Sequence, residues 1–155
     1  MRPIQIRKSP HHSQYYRVTS GIHFLTICTH QRKKILQNEV FHQTLLQLWM
    51  DSNHWIVGKY VILPDHIHLF TKASGKSSMP LKDWVYYWRS RFVYSHSNSV
   101  SKPFWQRDFW DTQLRRADSY TSKWRYVENN PVRHGYVENS RDWPFKGEIF
   151  VFENR

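Results

Sequence analysis

The 155-residue sequence has one cysteine, Cys28. No internal disulfide can form, a Cys-based zinc site is excluded, and a reducing cytoplasm fits. Long apolar runs are also missing. No stretch approaches the ~20 residues of a membrane span, and no signal-peptide pattern opens the sequence. There is no internal repeat and no long linker. A single domain over 1–155 is expected, large enough to bury a core. Acidic residues are scarce: 12 Asp and Glu stand against 23 Lys and Arg, giving a net charge of +11 and a pI near 10.0. That balance makes nucleic acid the leading partner, ahead of an anionic membrane. What is plentiful is aromatic: eight Trp, nine Tyr and nine Phe. They cannot all be core, so some are expected to face a ligand.

Residues 1–20 are basic and rich in His and Ser, and read as a loosely held arm. "GIHFLTICT" (21–29) is β-branched and aromatic, which predicts a strand. In "EVFHQTLLQLWMDSN" (39–53) Phe41, Leu45, Leu48 and Trp49 recur at helical spacing. "WIVGKYVIL" (55–63) reads as a strand, Pro64-Asp65 as a tight turn, and "HIHLFTKA" (66–73) as the returning strand. After a loop, Pro80 stands near the start of a helix with the stripe Leu81, Trp84, Val85, Trp88 and Phe92. That stripe reads as core rather than as a base-stacking platform. "FWQRDFWDTQL" (104–114) reads as a strand, and "DSYTSKWRYVENN" (118–130) as a helix ended by Pro131. Residues 136–155 form a C-terminal extension. The order βαββαβ plus an added helix predicts an α+β, ferredoxin-like fold: an antiparallel sheet with two helices on one face.

On a strand, His66 and His68 point to the same face, and Ile67 and Leu69 to the other. If Ile67 and Leu69 bury against the two helices, the histidines lie on the open face, where adjacent imidazoles grip a divalent ion. In a chain with ten histidines about 0.6 such triplets arise by chance. The pair therefore needs its setting, the apolar strand and Pro-Asp turn before it, and a third ligand.

"LPDHIHLF" (63–70), "FWQRDFWDTQLR" and "WRYVENNPVRHGYV" (124–137) together resemble the single-tyrosine HUH transposases, and more narrowly the REP-associated tyrosine transposases. That group pairs a P-x-H-x-H strand with a helix reading Tyr, a hydrophobic residue, two variable residues, Asn-Pro-Val, a basic residue, a spacer and Gly. Tyr126, Val127, Asn130, Pro131, Val132, Arg133 and Gly135 match it. His134 departs from it, standing where relatives often carry a small residue. "DWPF" (142–145) is similar to the aromatic stretch beyond the family's helix.

The resemblance implies a ferredoxin-like fold with the tyrosine helix on the sheet's other face. It implies His66, His68 and Asn130 as metal ligands, Tyr126 as nucleophile, and cleavage and rejoining of single-stranded DNA through a 5′-phosphotyrosine link. The implied substrates are hairpins of repetitive extragenic palindromes, in a bacterial cytoplasm at the nucleoid, with no membrane partner. Either a monomer or a homodimer is compatible with it.

These residue types suit that chemistry. A phosphodiester is an anion, and a divalent ion offsets its charge; Mg²⁺ or Mn²⁺ fits phosphate work. Two neutral imidazoles and an amide add no negative charge. A phenol near pKa 10 needs activation, and Lys123, three residues before Tyr126 on the helix, is placed to lower that value. Arg17, Lys33, Arg89, Arg107, Arg115, Lys123 and Arg133 are the expected phosphate contacts, with Trp110 an expected stacking surface. Two rival readings are a nucleic-acid-binding module without catalysis and a structural zinc protein recruiting His54 or His96. The presence of His66, His68, Tyr126 and Asn130 together opposes the first.

Overall fold

The computed structural model describes residues 21–75, 79–115 and 117–152. Its strands are β1 (Ile22–Cys28), β2 (Trp55–Leu63), β3 (His66–Ala73), β4 (Trp110–Leu114) and β5 (Lys146–Glu148). Its helices are α1 (Glu39–Met50), α2 (Leu81–Ser95), α3 (Ala117–Glu128) and the single turn α4 (Asn130–Arg133). The sheet runs β4-β1-β3-β2-β5 and every pairing is antiparallel. This is the ferredoxin-like order with a fifth strand added at the β2 edge.

Alternation along the strands builds two cores. Leu25, Ile27, Ile67 and Leu69 pack against α1 and α2 through Phe41, Leu45, Trp49, Trp84, Trp88 and Phe92. Phe24, Phe70, Val61 and Leu63 point the other way and meet Tyr120 and Val127 of α3, with Trp143 and Phe152. β3 is therefore buried on both faces from His66 to Thr71. The face that strand alternation alone left open is covered by α3, as the resemblance implied, because α3 and the C-terminal extension carry an apolar stripe of their own that has to leave water.

Local chemistry sets the ends. Asn38 accepts the Phe41 N–H and starts α1. Pro80 precedes α2 in extended geometry. Pro131 falls in the first turn of α4, where a missing N–H costs nothing, so it opens a new turn as well as closing α3.

The strand expected over 104–114 is shorter, and forms only from Trp110. Arg89, buried on α2, donates to the carbonyls of Gln106 (2.8 Å) and Arg107 (3.2 Å). Those carbonyls are thereby taken from any ladder, while Phe104 and Phe109 turn into the core. β5 was not expected from the sequence. A three-residue strand, Lys-Gly-Glu, carries no period-two signal; Lys146 pairs with Glu128 of α3 and holds it in place.

Candidate metal and nucleophile site

β3 brings His66 and His68 side by side, with ring centroids 4.7 Å apart and planes at 81°. Each ring is held through Nδ1. His66 Nδ1 lies 2.7 Å from the Asp65 carboxylate, and His68 Nδ1 lies 3.0 Å from the Thr26 hydroxyl. Arg32 approaches the same His66 nitrogen at 3.4 Å, but the carboxylate is closer and accepts the Nδ1–H hydrogen bond. With its Nδ1 donating, His66 presents a lone pair at Nε2. His68 Nε2 is buried and has no hydrogen-bond partner. Burial, joined by the charge of neighbouring His66, drives the His68 pKa far down and keeps this ring neutral.

Asp65 is itself braced. Burial alone would raise its carboxyl, but the hydrogen bond and charge of His66, together with Arg32, outweigh it and bring the value down to about 2. Arg32 Nε donates to Asp65 at 3.1 Å. It does so from a turn in which Gln31 (φ 58°) and Arg32 (φ 54°) both adopt left-handed geometry. Each such residue costs on the order of 1 kcal/mol, which the Asp65 contact helps to offset. Sequence reading missed this bracket. The only signal was Asp65 beside His66, and neighbours on a strand face opposite ways; the Pro64-Asp65 turn reverses that.

α3 lies over the histidine face. Tyr120 packs edge-on against Phe70, 4.9 Å between centroids. Lys123 Nζ sits 5.3 Å from the Phe24 ring, and Phe24 stacks on His68 at 5.1 Å. Lys123 thus stands over the histidine column, its ammonium pKa lowered by burial. Tyr126 is 44% exposed, whereas Tyr120 is 4% exposed and burial pushes its phenol up to about 12. Of the two, only Tyr126 is reachable by a large substrate.

Arg133 ties the far end together. Its guanidinium lies 3.7 Å from the Tyr126 ring centroid, donates to the Tyr126 carbonyl at 2.7 Å, and makes a very short hydrogen bond to Asn130 Oδ1. Asn130 is fully buried and its Nδ2 has no partner. His134 follows on the surface, with His66 close enough to help burial lower its pKa.

A divalent ion fits this donor set. One orphaned, buried imidazole nitrogen and a second imidazole with its Nδ1 fixed are the arrangement a metal-binding histidine pair requires. The amide oxygen of Asn130 has a second lone pair beyond the one Arg133 takes. Among the described residues, no three His, Cys, Asp or Glu side chains gather as a cluster. The coordination sphere would therefore rely on the amide and on substrate oxygens. His96 is engaged elsewhere, with Thr44 at 2.9 Å and against Phe41 and Phe92 in the helix layer, which removes it from the zinc reading. Cys28 pairs across from His66, but burial raises its thiol pKa and keeps it protonated.

The predicted DNA contacts divide. Lys33, Arg107, Arg115 and Arg133 are exposed, and Lys123 is half-buried. Arg17 lies outside the described residues. Arg89 is corrected: at 4% exposure it binds backbone carbonyls, because α2 turns it inward toward the loop before β4. Trp110 is 45% exposed and shares a register row with Thr26 and His68, so it stands on the histidine face about two strand spacings, roughly 10 Å, from His68.

A ferredoxin-like sheet with paired histidines beneath a tyrosine-bearing helix is the arrangement expected from the resemblance to the single-tyrosine HUH transposases. No family model matches the chain. A protein of Escherichia coli (strain K12) named REP-associated tyrosine transposase is 27% identical over 135 residues, covering 84% of this chain and 78% of its own. A Haemophilus influenzae protein provisionally given the same name is 27% identical over 143 residues, covering 81% and 78%. A solved structure titled as the REP-associated tyrosine transposase bound to a REP hairpin superimposes with a TM-score of 0.70 at 20% identity, over 98% of this chain and 95% of that one. Over most of its length the chain is similar to proteins that carry this name.

Proposed function

We infer that the protein binds hairpin-forming single-stranded DNA and cleaves and rejoins it through Tyr126. The observation that carries this reading is the histidine pair: both Nδ1 atoms are fixed, one buried Nε2 is unpartnered, and the helix bearing an exposed tyrosine crosses the same face. The names of the relatives, and the hairpin bound to the structural neighbour, agree with it.

His66, His68 and Asn130 would hold one Mg²⁺ or Mn²⁺ ion, which when bound offsets the charge of the scissile phosphate. Tyr126 Oη attacks phosphorus, its proton leaves, the P–O3′ bond breaks, and the departing 3′ oxygen takes up a proton. The ester to Tyr126 conserves the bond, so a 3′-OH can reverse the step without ATP. Arg133 fixes the Tyr126 ring, and Asp65 and Thr26 fix the imidazoles.

The test is incubation of the protein with hairpin-bearing single strands and Mn²⁺, read on a denaturing gel. A covalent protein–DNA adduct should form, vanish in EDTA, and be absent from Tyr126→Phe, which should still bind DNA. An adduct that persists in Tyr126→Phe would move the nucleophile elsewhere.

A further inference from the structure

On the side of the sheet away from Tyr126, two cavities of about 460 Å³ and 370 Å³ lie end to end, both walled by Pro103 and Phe104. The first runs along α2 past Tyr86, Tyr94, Lys102 and Arg107; the second reaches His30 and Lys33. None of the described residues lining either cavity is acidic. Tyr94 is 77% exposed and Tyr86 44%, an unusual presentation of phenol rings to water on a helix. Arg89 lies behind Tyr86, its guanidinium 5.2 Å from that ring, and its buried Nε has no partner.

The floor of this trough is fixed. Thr29 bridges to Trp105, His30 N–H donates to the Phe104 carbonyl at 2.9 Å, and Gln106 N–H donates to that of Cys28 at 2.9 Å. Its His30 end also adjoins the site. Residues 30–32 form one 3₁₀ turn, and Arg32 at its end holds Asp65, the partner of His66.

We propose that this trough is a binding track for the single-stranded flank of the DNA, leading from the histidine site over the end of the sheet to α2. Exposed phenol rings give sequence-tolerant stacking, and Lys33, Lys102 and Arg107 supply phosphate contacts. The absence of acidic lining residues favours a polyanion over a protein segment of mixed charge. The inference rests on the proposed function and names a surface for the part of the substrate outside the hairpin.

The experiment compares the full chain binding three labelled DNAs by fluorescence anisotropy: a bare hairpin, and the same hairpin with an eight-thymidine tail at the 5′ or the 3′ end. One tail should tighten binding about tenfold and steepen the log–log salt slope by about two, as roughly three single-strand phosphates would. Lys102→Glu with Tyr94→Ala should abolish that gain and leave bare-hairpin affinity within twofold. Both side chains are exposed, and an unchanged melting temperature would verify the fold. A tail gain that survives in this variant overturns the proposal, as does hairpin binding to which neither tail adds. Failure to bind any of the three DNAs would overturn the functional reading itself.

Discussion

Asp65 shows how much one side chain decides. Its carboxylate fixes the His66 tautomer from 2.7 Å, and His66 together with Arg32 keeps it ionised. Removing the partner of a metal-binding imidazole typically costs 10–100-fold in metal affinity. Asp65→Asn should therefore bind Mn²⁺ 10- to 100-fold more weakly in a calorimetric titration without DNA; unchanged affinity would show that Asp65 serves only the turn. The histidines behave differently from exposed ligands. His68 is 1% exposed and wedged among Phe24, Thr26 and His66. His68→Ala should lower stability by about 2 kcal/mol as well as weaken the metal, by urea denaturation. The strand alternation alone left these rings on an open face, and the cover of α3 is what makes them part of the packing.

At the scale of elements, the attachments between layers matter most. β2 has a register shift between Val57 and Tyr60, and at that irregularity the Lys59 N–H donates to the Tyr120 hydroxyl of α3. Gly58 lies in the same break, where an added Cβ would stand 2.7 Å from the Phe152 ring and 2.8 Å from the Tyr120 hydroxyl. Gly58→Ala should cost about 1–3 kcal/mol by pushing α3 and the chain end off the sheet. A neutral result would mean that both rings yield freely. Arg89 makes the matching link on the other face. Arg89→Gln should destabilise the fold by about 2 kcal/mol, since two carbonyls lose their charged donor. Bare-hairpin affinity lost without any change in stability would return Arg89 to the list of phosphate contacts.

For the whole molecule, pH acts through groups buried in neutral form. Burial lowers the pKa of both His68 and His42 in the folded chain. The unfolded chain therefore takes up protons near pH 6.5 that the folded chain refuses. Stability is complete above about 6.5 and declines below it, by at most about 1.4 kcal/mol per pH unit for each group. Asp65, depressed to about 2, adds a second decline between about 4 and 2. Urea midpoints in EDTA should fall from pH 7 to pH 5, before carboxylates titrate. A flat or rising midpoint across that window would mean that the folded interior accommodates charged imidazoles. Among the described residues no helix is long and apolar enough to cross a membrane.

Period and punctuation in the sequence determined the element order, because side-chain alternation and helical spacing follow from backbone geometry alone. The same rules put His66 and His68 on one face and Leu81, Trp84 and Trp88 in the core. Local sequence could not say what covered that face. The cover over that face comes from α3 and from Trp143 and Phe152, which are remote in the chain. Nor could it place Arg89, whose partners are carbonyls 17 and 18 residues away. A side chain's type fixes which bonds it can make. Only the folded chain, by choosing which distant groups arrive within about 3 Å, decides which bonds form.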